Sequence, residues 1–426
     1  MTFALMFLGL VALVLINVPI AVALAVVTTV AMLLVQGPDI LPNLALVMMD
    51  GATKFPLIAI PLFILAGAIM NSGGLSRRLI AFASALFGFI RGGLAMITTG
   101  TSMFFAEISG SAVADVAAMG SILIPAMKKR GYPAPFAAAV MSSSATLAVI
   151  IPPSIPMILY AVMSQSSVVQ LFVAGIIPGV LGGFLMMVVS YWFARRYNYP
   201  VEETFQLCRL WLTFKEAALA FTLPLIILGG IFGGFVTATE GAGLAVVSAL
   251  VIGLIYRELD WAHLKDAIIE GGVQTAVVML LVAASVLIGV FLTEAQVPQK
   301  LAQSISDLTS NKYIILALLN VFFLVIGLFL HSAAAIILVV PIVMPLVTAT
   351  GIDPIHFGLI VTLNLGIGQQ TPPVASVLIA ACSVAKADIW EVSKVNIYFI
   401  GVLFLVLMMV TYVPAVPMSL VEYFYR

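Results

Sequence analysis

Apolar runs of about twenty residues recur along the whole chain, separated by short polar or charged segments. A run of that length crosses a hydrocarbon core about 30 Å thick when it forms an α-helix. The first run, from Phe3 to Val35, has no basic segment before it and is too long for the core of a signal peptide, which indicates a first spanning helix. The pattern predicts an all-α protein that crosses a membrane many times.

The sequence repeats itself weakly at a spacing of about 220 residues. Most of this similarity lies in helix-breaking residues, which matter because prolines and glycines set backbone geometry. The matched positions are Leu24–Val27 with Leu244–Val247, Asp50-Gly51 with Glu270-Gly271, Pro125 with Pro345, Gly131 with Gly351, and Pro152-Pro153 with Pro372-Pro373. Weak internal repeats of this kind are typical of transport proteins built from two inverted halves.

Each half is predicted to contain the same elements in the same order, with the first inverted repeat at 1–200 and the second at 237–426. The elements are scaffold helices, a charged amphipathic arm, a re-entrant helical hairpin, a helix broken at the double proline, and a last span. In the first repeat they occupy 1–72, 74–90, 92–127, 134–163 and 168–194. In the second they occupy 237–293, 296–311, 313–347, 355–381 and 396–418. Residues 201–236 are predicted to form a linker and a connecting helix.

The connecting helix turns the second half upside down, because it adds one crossing between the repeats. The basic residues support this arrangement, since cytoplasmic segments of membrane proteins are enriched in Lys and Arg. With a cytoplasmic N-terminus and re-entrant hairpins, 14 of the 18 basic residues fall in cytoplasmic segments. The exceptions are Lys54, Lys300, Lys312 and Arg426. Hairpins that crossed the membrane fully would scatter the basic clusters over both faces.

Composition excludes several classes of protein. With 63% apolar and 8% charged residues and a mean hydropathy of +1.23, the chain leaves no segment for a soluble domain. A net charge of zero without a basic stripe argues against nucleic acid as a partner. Cys208 and Cys382 lie far apart and the three histidines lack metal-ligand spacing, so neither an enzyme nor a bound cofactor is predicted.

The predicted site lies at four interruptions of the helices, near 108–112, 144–154, 330–333 and 364–373. Backbone groups at such breaks must be satisfied by protein or by a wet cavity. Carbonyls at the ends of half-helices suit Na⁺, whereas N–H groups at half-helix N-termini suit a carboxylate. The double prolines are expected to free the carbonyls of Ala148, Val149, Gly368 and Gln369. The alternative is that each proline pair only kinks its helix and each serine bonds to its own backbone.

The ionisable residues inside the apolar runs leave two interpretations open. A charge in a membrane segment marks a pathway or a gate unless a partner satisfies it. Glu107, Asp115, Glu240 and Glu294 fit either role. His331, at the tip of the second hairpin, fits either a ligand or a hydrogen-bonding residue.

Four sequence motifs resemble those of one family. They are Glu107-Ile-Ser-Gly-Ser-Ala, the segment Ile-Pro-Ala-Met-Lys-Lys-Arg-Gly-Tyr that ends at Tyr132, Ile151-Pro-Pro-Ser154, and Gln370-Thr-Pro-Pro373. Together they resemble the large membrane subunit of tripartite ATP-independent periplasmic (TRAP) transporters, and the sialic-acid type is most similar. The resemblance covers essentially the whole chain, with both hairpins and both broken helices in order.

The resemblance implies an inverted-repeat elevator transporter in the bacterial inner membrane. Such a protein is a Na⁺-driven importer of a carboxylate, with sialic acid first and C4-dicarboxylates or other organic acids as further substrates. A soluble periplasmic binding protein would deliver the substrate, and a separate small four-helix membrane subunit would brace the scaffold. The hairpins and broken helices would form the moving part, and the arms would link it to the scaffold.

The resemblance also implies site residues. The first Na⁺ site would use Ser109, Ser111, Thr146 and Val149. The second would use His331, Ser332, Gly366, Gln369 and Thr371. Substrate would lie near Ser144, Asn364 and Thr371.

Three other functions remain possible on the sequence alone. A divalent-anion/Na⁺ symporter that needs no binding protein shares the hairpin logic, and transport by this chain alone would favour it. An intramembrane enzyme needs a nucleophile with a base or a metal cluster, for which the sequence shows no spacing. A scaffold without transport leaves the matched breaks unexplained.

Overall fold

The computed structural model describes residues 6–425 except 7, 11, 14, 15, 17, 202, 203, 310, 373 and 374. The side chains of 107–109, 301, 302 and 305–308 also lie outside this description. The described chain is almost entirely helical, and its β-structure is a single antiparallel bridge between Arg91 and Val201.

From Ile20 onward, the described part of the first half contains nine α-helices. They are α1 (Ile20–Gln36), α2 (Leu41–Ala52), α3 (Ala59–Ser72), α4 (Leu75–Phe87), α5 (Gly93–Ser109), α6 (Ala112–Lys129), α7 (Ala134–Ala145), α8 (Ile155–Ser164) and α9 (Val168–Arg196). Short 3₁₀ turns occupy Pro38–Ile40, Phe55–Ile58 and Thr146–Val149. Among the described residues before α1, positions 6, 8–10, 12 and 13 are also helical.

The long helix α10 (Leu207–Phe232) connects this half to the second. The second half contains α11 (Ala238–Ile255), α12 (Trp261–Glu294), α13 (Val297–Leu308), α14 (Lys312–Phe329), α15 (Ser332–Ala349), α16 (Pro354–Gly368), α17 (Ser376–Ala385), α18 (Ile389–Tyr412) and α19 (Ala415–Tyr425). In the described chain, eight helical segments are long and apolar enough to cross a membrane. The predicted all-α polytopic fold with two hairpins and two broken helices is confirmed.

Several predicted boundaries are wrong, and each error has a local cause. The run 3–35 is divided, because Val18 and Pro19 are not helical and proline has no N–H to donate to the preceding turn. Within the predicted scaffold segment 237–293, the second helix α12 begins at Trp261, since the Asp260 carboxylate caps it by accepting from the His263 N–H at 2.8 Å, and it runs on to Glu294. The last span is α18, which ends at Tyr412 before Pro414.

Residues in the left-handed conformation recur at the spacing of the sequence repeat. Each ends a helix or precedes one, and glycine or a polar residue occupies most of these positions. The pairs with positive φ are Gly37 with Arg257, Gly74 with Gln296, Gly131 with Gly351, and Gln165 with Lys386. The two halves therefore leave the helical conformation at matching points.

The two broken helices run antiparallel to each other. At one end, Lys128 Nζ in the last turn of α6 donates to the Ala385 carbonyl at the end of α17, over 2.8 Å. At the other end, the Tyr160 hydroxyl on α8 donates to the Pro354 carbonyl at the start of α16, over 2.7 Å. The pair α7 and α8 therefore begins where the pair α16 and α17 ends, and the two breaks face each other at mid-length.

Basic segments that the positive-inside rule assigns to the cytoplasm gather at one end of the bundle. Arg91, before α5, donates to Asn198 Oδ1 after α9 at 3.1 Å. The rings of Tyr132, after α6, and Tyr199 lie 4.6 Å apart. The start of α5 and the ends of α6 and α9 therefore share one face.

The arm helix α4 is fastened to the end of α11 by ion pairs. Glu258 accepts from Arg78 at 2.7 Å and from Arg77 at 3.0 Å. The Arg78 guanidinium also lies 3.8 Å from the centre of the Tyr256 ring. These contacts fix the first turn of the arm against the scaffold.

Candidate functional site

The turn of the first hairpin lies against the break of the first broken helix. Gly110 joins α5 to α6 with φ +57°, and a Cβ at this position would lie 3.0 Å from the Pro153 carbonyl oxygen and 3.2 Å from the Ile155 nitrogen. Glycine fits because it tolerates this conformation and leaves room for the neighbouring backbone. Ser111 follows as the N-cap of α6, with its hydroxyl accepting from the Ala114 N–H at 3.5 Å.

The second hairpin has its N-cap at the equivalent position. His331 caps α15, with Nδ1 accepting from the Ala333 N–H at 3.4 Å. The structure thus gives His331 a hydrogen-bonding role at the turn, as it does Ser111. Ser332, the first residue of α15, is buried.

The second hairpin meets the second break through two glycines. A Cβ added to Gly368 at the end of α16 would lie 2.4 Å from the Gly327 carbonyl carbon and Cα. Helices α14 and α16 therefore cross with their backbones in direct contact. Unlike α5 and α6, the hairpin helices α14 and α15 have few contacts with each other, because α14 packs on α16 and α15 packs on α8, α12 and α13.

Three residues predicted to bind Na⁺ lie close together where the breaks face each other. A Cβ on Gly366 would lie 3.0 Å from Thr146 Cγ2 and 3.9 Å from Val149 Cβ. Thr146 and Val149 belong to the first predicted site, and Gly366 belongs to the second. The Thr146 hydroxyl donates to the Ser142 carbonyl at 3.1 Å.

A buried amide network joins the breaks, and sequence reasoning did not assign it a role. The side-chain amide oxygen of Gln370, Oε1, accepts from Ser142 Oγ at 2.6 Å and from Asn396 Nδ2 at 3.0 Å. The Gln370 Nε2 donates to the Ser142 carbonyl at 2.6 Å and to Thr146 Oγ1. Ser143 Oγ donates to Asn396 Oδ1 at 2.6 Å. All five side chains are buried, and the Gln370 amide uses both of its donors and accepts twice.

The predicted substrate residues Ser144 and Asn364 each face the first hairpin helix of their own half. Ser144 Oγ lies 3.0 Å from Thr99 Oγ1 on α5. Asn364 Nδ2 donates to Asn320 Oδ1 on α14 at 2.7 Å. These contacts tie each broken helix to its hairpin. The hydroxyl of the third predicted substrate residue, Thr371, donates to the Ile367 carbonyl at 3.0 Å.

The carbonyls beside the double prolines find other donors. Val149 O accepts from the Ser154 hydroxyl at 2.8 Å, and Gln369 O accepts from the Val377 N–H at 3.2 Å. Gly368 O accepts from the Thr371 N–H at 3.0 Å. A carbonyl oxygen has two lone pairs, so one hydrogen bond does not prevent it from coordinating a cation as well. The side chain of Ser109, and all of Pro373, lie outside the described residues.

Three buried polar atoms of the second broken helix have no hydrogen-bond partner among the described residues: Asn364 Oδ1, Gln369 Nε2 and Ser376 Oγ. The Asn364 Oδ1 is an acceptor, and the Gln369 Nε2 is a donor. Asn364 is fully buried and Gln369 is 3% exposed. An unpaired buried group costs about 1–3 kcal/mol, so groups of opposite polarity at one break suit a cation and an anion.

Glu240 and Glu294 both take part in hydrogen bonds near the ends of helices. Glu240 forms a capping box at the start of α11, accepting from the Thr237 N–H at 2.8 Å. Glu294, at the end of α12, accepts from Gln36 Nε2 at 2.5 Å. Asp115 is buried near the first hairpin turn, and the side chain of Glu107 is not described.

Comparisons with known proteins agree along almost the whole chain. A family profile described as "Tripartite ATP-independent periplasmic transporter, DctM component" matches residues 7–416. The isethionate TRAP transporter permease protein DctMQ of Oleidesulfovibrio alaskensis is 41% identical over 95% of this chain, which spans 64% of that protein's length. The C4-dicarboxylate TRAP transporter large permease protein DctM of Pseudomonas aeruginosa is 39% identical, over 91% of each chain.

A further relative and one solved structure extend the comparison. The 2,3-diketo-L-gulonate TRAP transporter large permease protein YiaN of Escherichia coli is 36% identical over 87% of this chain and 88% of its own. The crystal structure of the Alcanivorax borkumensis YdaH transporter superposes with a TM-score of 0.63, covering 92% of this chain and 96% of that one. The sequence identity to this solved structure is 16%, so the similarity concerns the fold alone.

Proposed function

Because the chain belongs to the DctM family of TRAP transporters, we propose that it is the permease of a Na⁺-coupled importer of organic acids. It is a multi-pass protein of the inner membrane. The observation that carries the proposal is the meeting of the two breaks, with Thr146 beside Gly366. Two interrupted helices that meet inside a membrane protein place carbonyl and hydroxyl oxygens in one region that lipid cannot solvate.

In the proposed mechanism, Na⁺ binds oxygens at both breaks before the acid binds. The first ion would use Ser109, Ser111, Thr146 and Val149. The second would use His331, Ser332, Gly366, Gln369 and Thr371. The Thr146 hydroxyl donates one hydrogen bond and accepts one, which leaves a lone pair for a cation. The Val149 and Gln369 carbonyls each accept one hydrogen bond and could coordinate a cation through the second lone pair.

The acid would bind after the ions, near Ser144, Asn364 and Thr371. The unpaired Gln369 Nε2 is a donor, so it suits a carboxylate and not Na⁺. The unpaired Asn364 Oδ1 suits Na⁺ or a substrate hydroxyl. An ion that orders this break before the anion binds would couple the two binding events, because the anion then binds without a further loss of conformational entropy.

We propose an elevator motion in which the hairpins and broken helices move as one body. The contacts between Ser144 and Thr99 and between Asn364 and Asn320 support this, because they tie each broken helix to its own hairpin. The remaining partners would be a periplasmic binding protein and a small four-helix membrane subunit.

The substrate is proposed to be a small organic acid. The relatives are named for isethionate, C4-dicarboxylates and 2,3-diketo-L-gulonate, and the sequence motifs resemble the sialic-acid type. All of these molecules carry an anionic group on a polar skeleton. One N–H-rich break would bind the anionic group, while other contacts would select the skeleton.

The test is uptake into proteoliposomes that contain this chain with candidate small subunits and binding proteins. We expect uptake of one acid of this set, driven by a Na⁺ gradient and dependent on the binding protein. Ser111→Ala and Thr371→Ala should each require more Na⁺ for half-maximal uptake. Ser121→Ala is the matched control, because Ser121 lies exposed on the same helix as Ser111.

Two results would contradict the proposal. Uptake that proceeds equally in K⁺ would remove Na⁺ coupling, and unchanged Na⁺ activation in both variants would remove the site assignment. Uptake by the chain without a binding protein would favour the self-sufficient symporter.

A further inference from the structure

We propose that Gln370 is a positioning residue that couples the first Na⁺ site to the second broken helix. This inference rests on the proposed Na⁺-coupled transport. The Gln370 side chain lies just beyond α16 and reaches Ser142 and Thr146 on the first broken helix, while Asn396 holds it from α18. One fully buried amide thus connects elements from both halves.

The internal repeat provides a comparison that separates positioning from packing. At a spacing of 220 residues, Ile150 corresponds to Gln370. Helix α18 begins 221 residues after α9, at Ile389 against Val168, so Gly175 corresponds to Asn396. These equivalents also touch, since a Cβ on Gly175 would lie 2.3 Å from the Ile150 carbonyl oxygen. The first half therefore packs the same crossing with an apolar residue and a glycine. The second half places a complete hydrogen-bond network there, which packing alone does not require.

The network controls the orientation of one proposed Na⁺ ligand. Thr146 Oγ1 donates its proton to the Ser142 carbonyl and accepts from Gln370 Nε2. One lone pair is left, and its direction is set by those two bonds. Groups that orient a metal ligand in this way typically change metal affinity when they are removed.

The coupling follows from the position of Gln370 in the chain. Gln369, with its unpaired Nε2, is the adjacent residue, and Asn396 Nδ2 also approaches the Gln370 carbonyl at 3.4 Å. A cation that binds Thr146 would shift its hydroxyl and, through the hydrogen bond, the Gln370 side chain. That shift would change the position of the backbone at Gln369, whose side-chain amide is proposed to bind the acid. The expected consequence is that Na⁺ at the first break prepares the second break.

The experiment measures Na⁺ activation of uptake and Na⁺-induced thermal stabilisation of the purified chain for wild type and variants. Gln370→Met keeps the size of the side chain and removes its hydrogen bonds. We expect about a tenfold or larger increase in half-activating Na⁺, within the range of about 10–100-fold seen for residues that orient metal ligands. We also expect a lower Hill coefficient and an acid KM close to wild type at saturating Na⁺.

Ser142→Ala is the milder variant, for use where Gln370→Met does not fold. It removes the hydroxyl that donates to Gln370 Oε1 and leaves the Ser142 backbone carbonyl that accepts from Gln370 Nε2. The Na⁺ concentration for half-maximal uptake should therefore rise by a smaller factor. Thr362→Val is the matched control, because Thr362 is the repeat equivalent of Ser142 and its hydroxyl donates only to its own helix, to the Gly358 and Leu359 carbonyls.

The outcomes separate the two proposals. A folded Gln370→Met or Ser142→Ala chain whose half-activating Na⁺ stays within twofold of wild type overturns the role of Gln370 while leaving Na⁺ coupling intact. A change equal to that of Thr362→Val, or a loss of maximal rate without a shift in Na⁺ dependence, also overturns it. A wild-type chain that shows no Na⁺ effect refutes the proposed function itself.

Discussion

Replacing Gly368 by alanine tests the backbone contact that seats the second hairpin on the second break. The added Cβ would lie 2.4 Å from two Gly327 backbone atoms and 2.6 Å from a third, its carbonyl oxygen. Backbone atoms cannot rotate away as a side chain can, so α14 and α16 must separate. Overpacking of this kind costs about 1–3 kcal/mol.

Alanine substitutions at two further glycines allow the stabilities of the variants to be ranked. A Cβ on Gly327 would lie 3.1 Å from Gly368 Cα and 3.4 Å from Leu365 Cα, which is a milder overlap. A Cβ on Gly401 of α18 would meet nothing within 4 Å, and alanine gains up to about 1 kcal/mol of helix propensity there. Stability should therefore rank Gly401→Ala, wild type, Gly327→Ala and Gly368→Ala, from highest to lowest.

The assay is thermal unfolding of the purified chain in detergent, followed by uptake at saturating Na⁺. Gly368→Ala should unfold at a clearly lower temperature and transport slowly, because the break and the hairpin no longer fit. A Gly368→Ala chain as stable and active as Gly401→Ala would refute the close crossing of α14 and α16.

Three further predictions concern the supports of the site. Ser154→Ala removes the N-cap of α8 and should cost about 0.5–2 kcal/mol, whereas Ser154→Thr should restore the melting temperature; equal values for both contradict the cap. Glu258→Gln should lower stability by about 1 kcal/mol or less, since this pair with Arg78 is partly exposed, and the difference should shrink in high salt. Asn320→Leu and Asn364→Leu should show a coupling of about 0.5–3 kcal/mol in a double-mutant cycle of thermal stability; additive effects contradict their hydrogen bond.

Prolines and glycines made the layout of the helices predictable. The double prolines at 152–153 and 372–373 predict where the broken helices stop, and Gly131 and Gly351 predict the turns after the hairpins. These residues act through their own backbone, so no knowledge of neighbours is needed. Helix ends that depend on a polar cap, such as Asp260 before α12, were less visible in an apolar pattern.

The contacts across the breaks were not predictable from the sequence in the same way. Gln370 lies in a segment identified as a break, yet its partners Ser142 and Asn396 sit in apolar helices with no spacing that links them. Such a network depends on which faces of three helices meet. The sequence did contain one indication: Ser142 and Asn396 are polar residues in apolar spans, and a buried polar residue in such a span needs a hydrogen-bond partner.

The short helix α2 shows a second limit. Residues 41–52 precede Pro56. The hydropathy pattern places them in the scaffold segment 1–72 but does not predict a separate helix there. In the second half the equivalent stretch continues without interruption in α12, where no proline follows at that spacing. A single proline thus divides in one half what remains one helix in the other.

The most direct test of the central claim is equilibrium binding of radioactive Na⁺ to the purified chain. If the two breaks form a cation site, binding should saturate, should not be displaced by equal K⁺, and should weaken in Ser111→Ala but not in Ser121→Ala. Binding that does not saturate, or that is the same in all three proteins, would contradict the account.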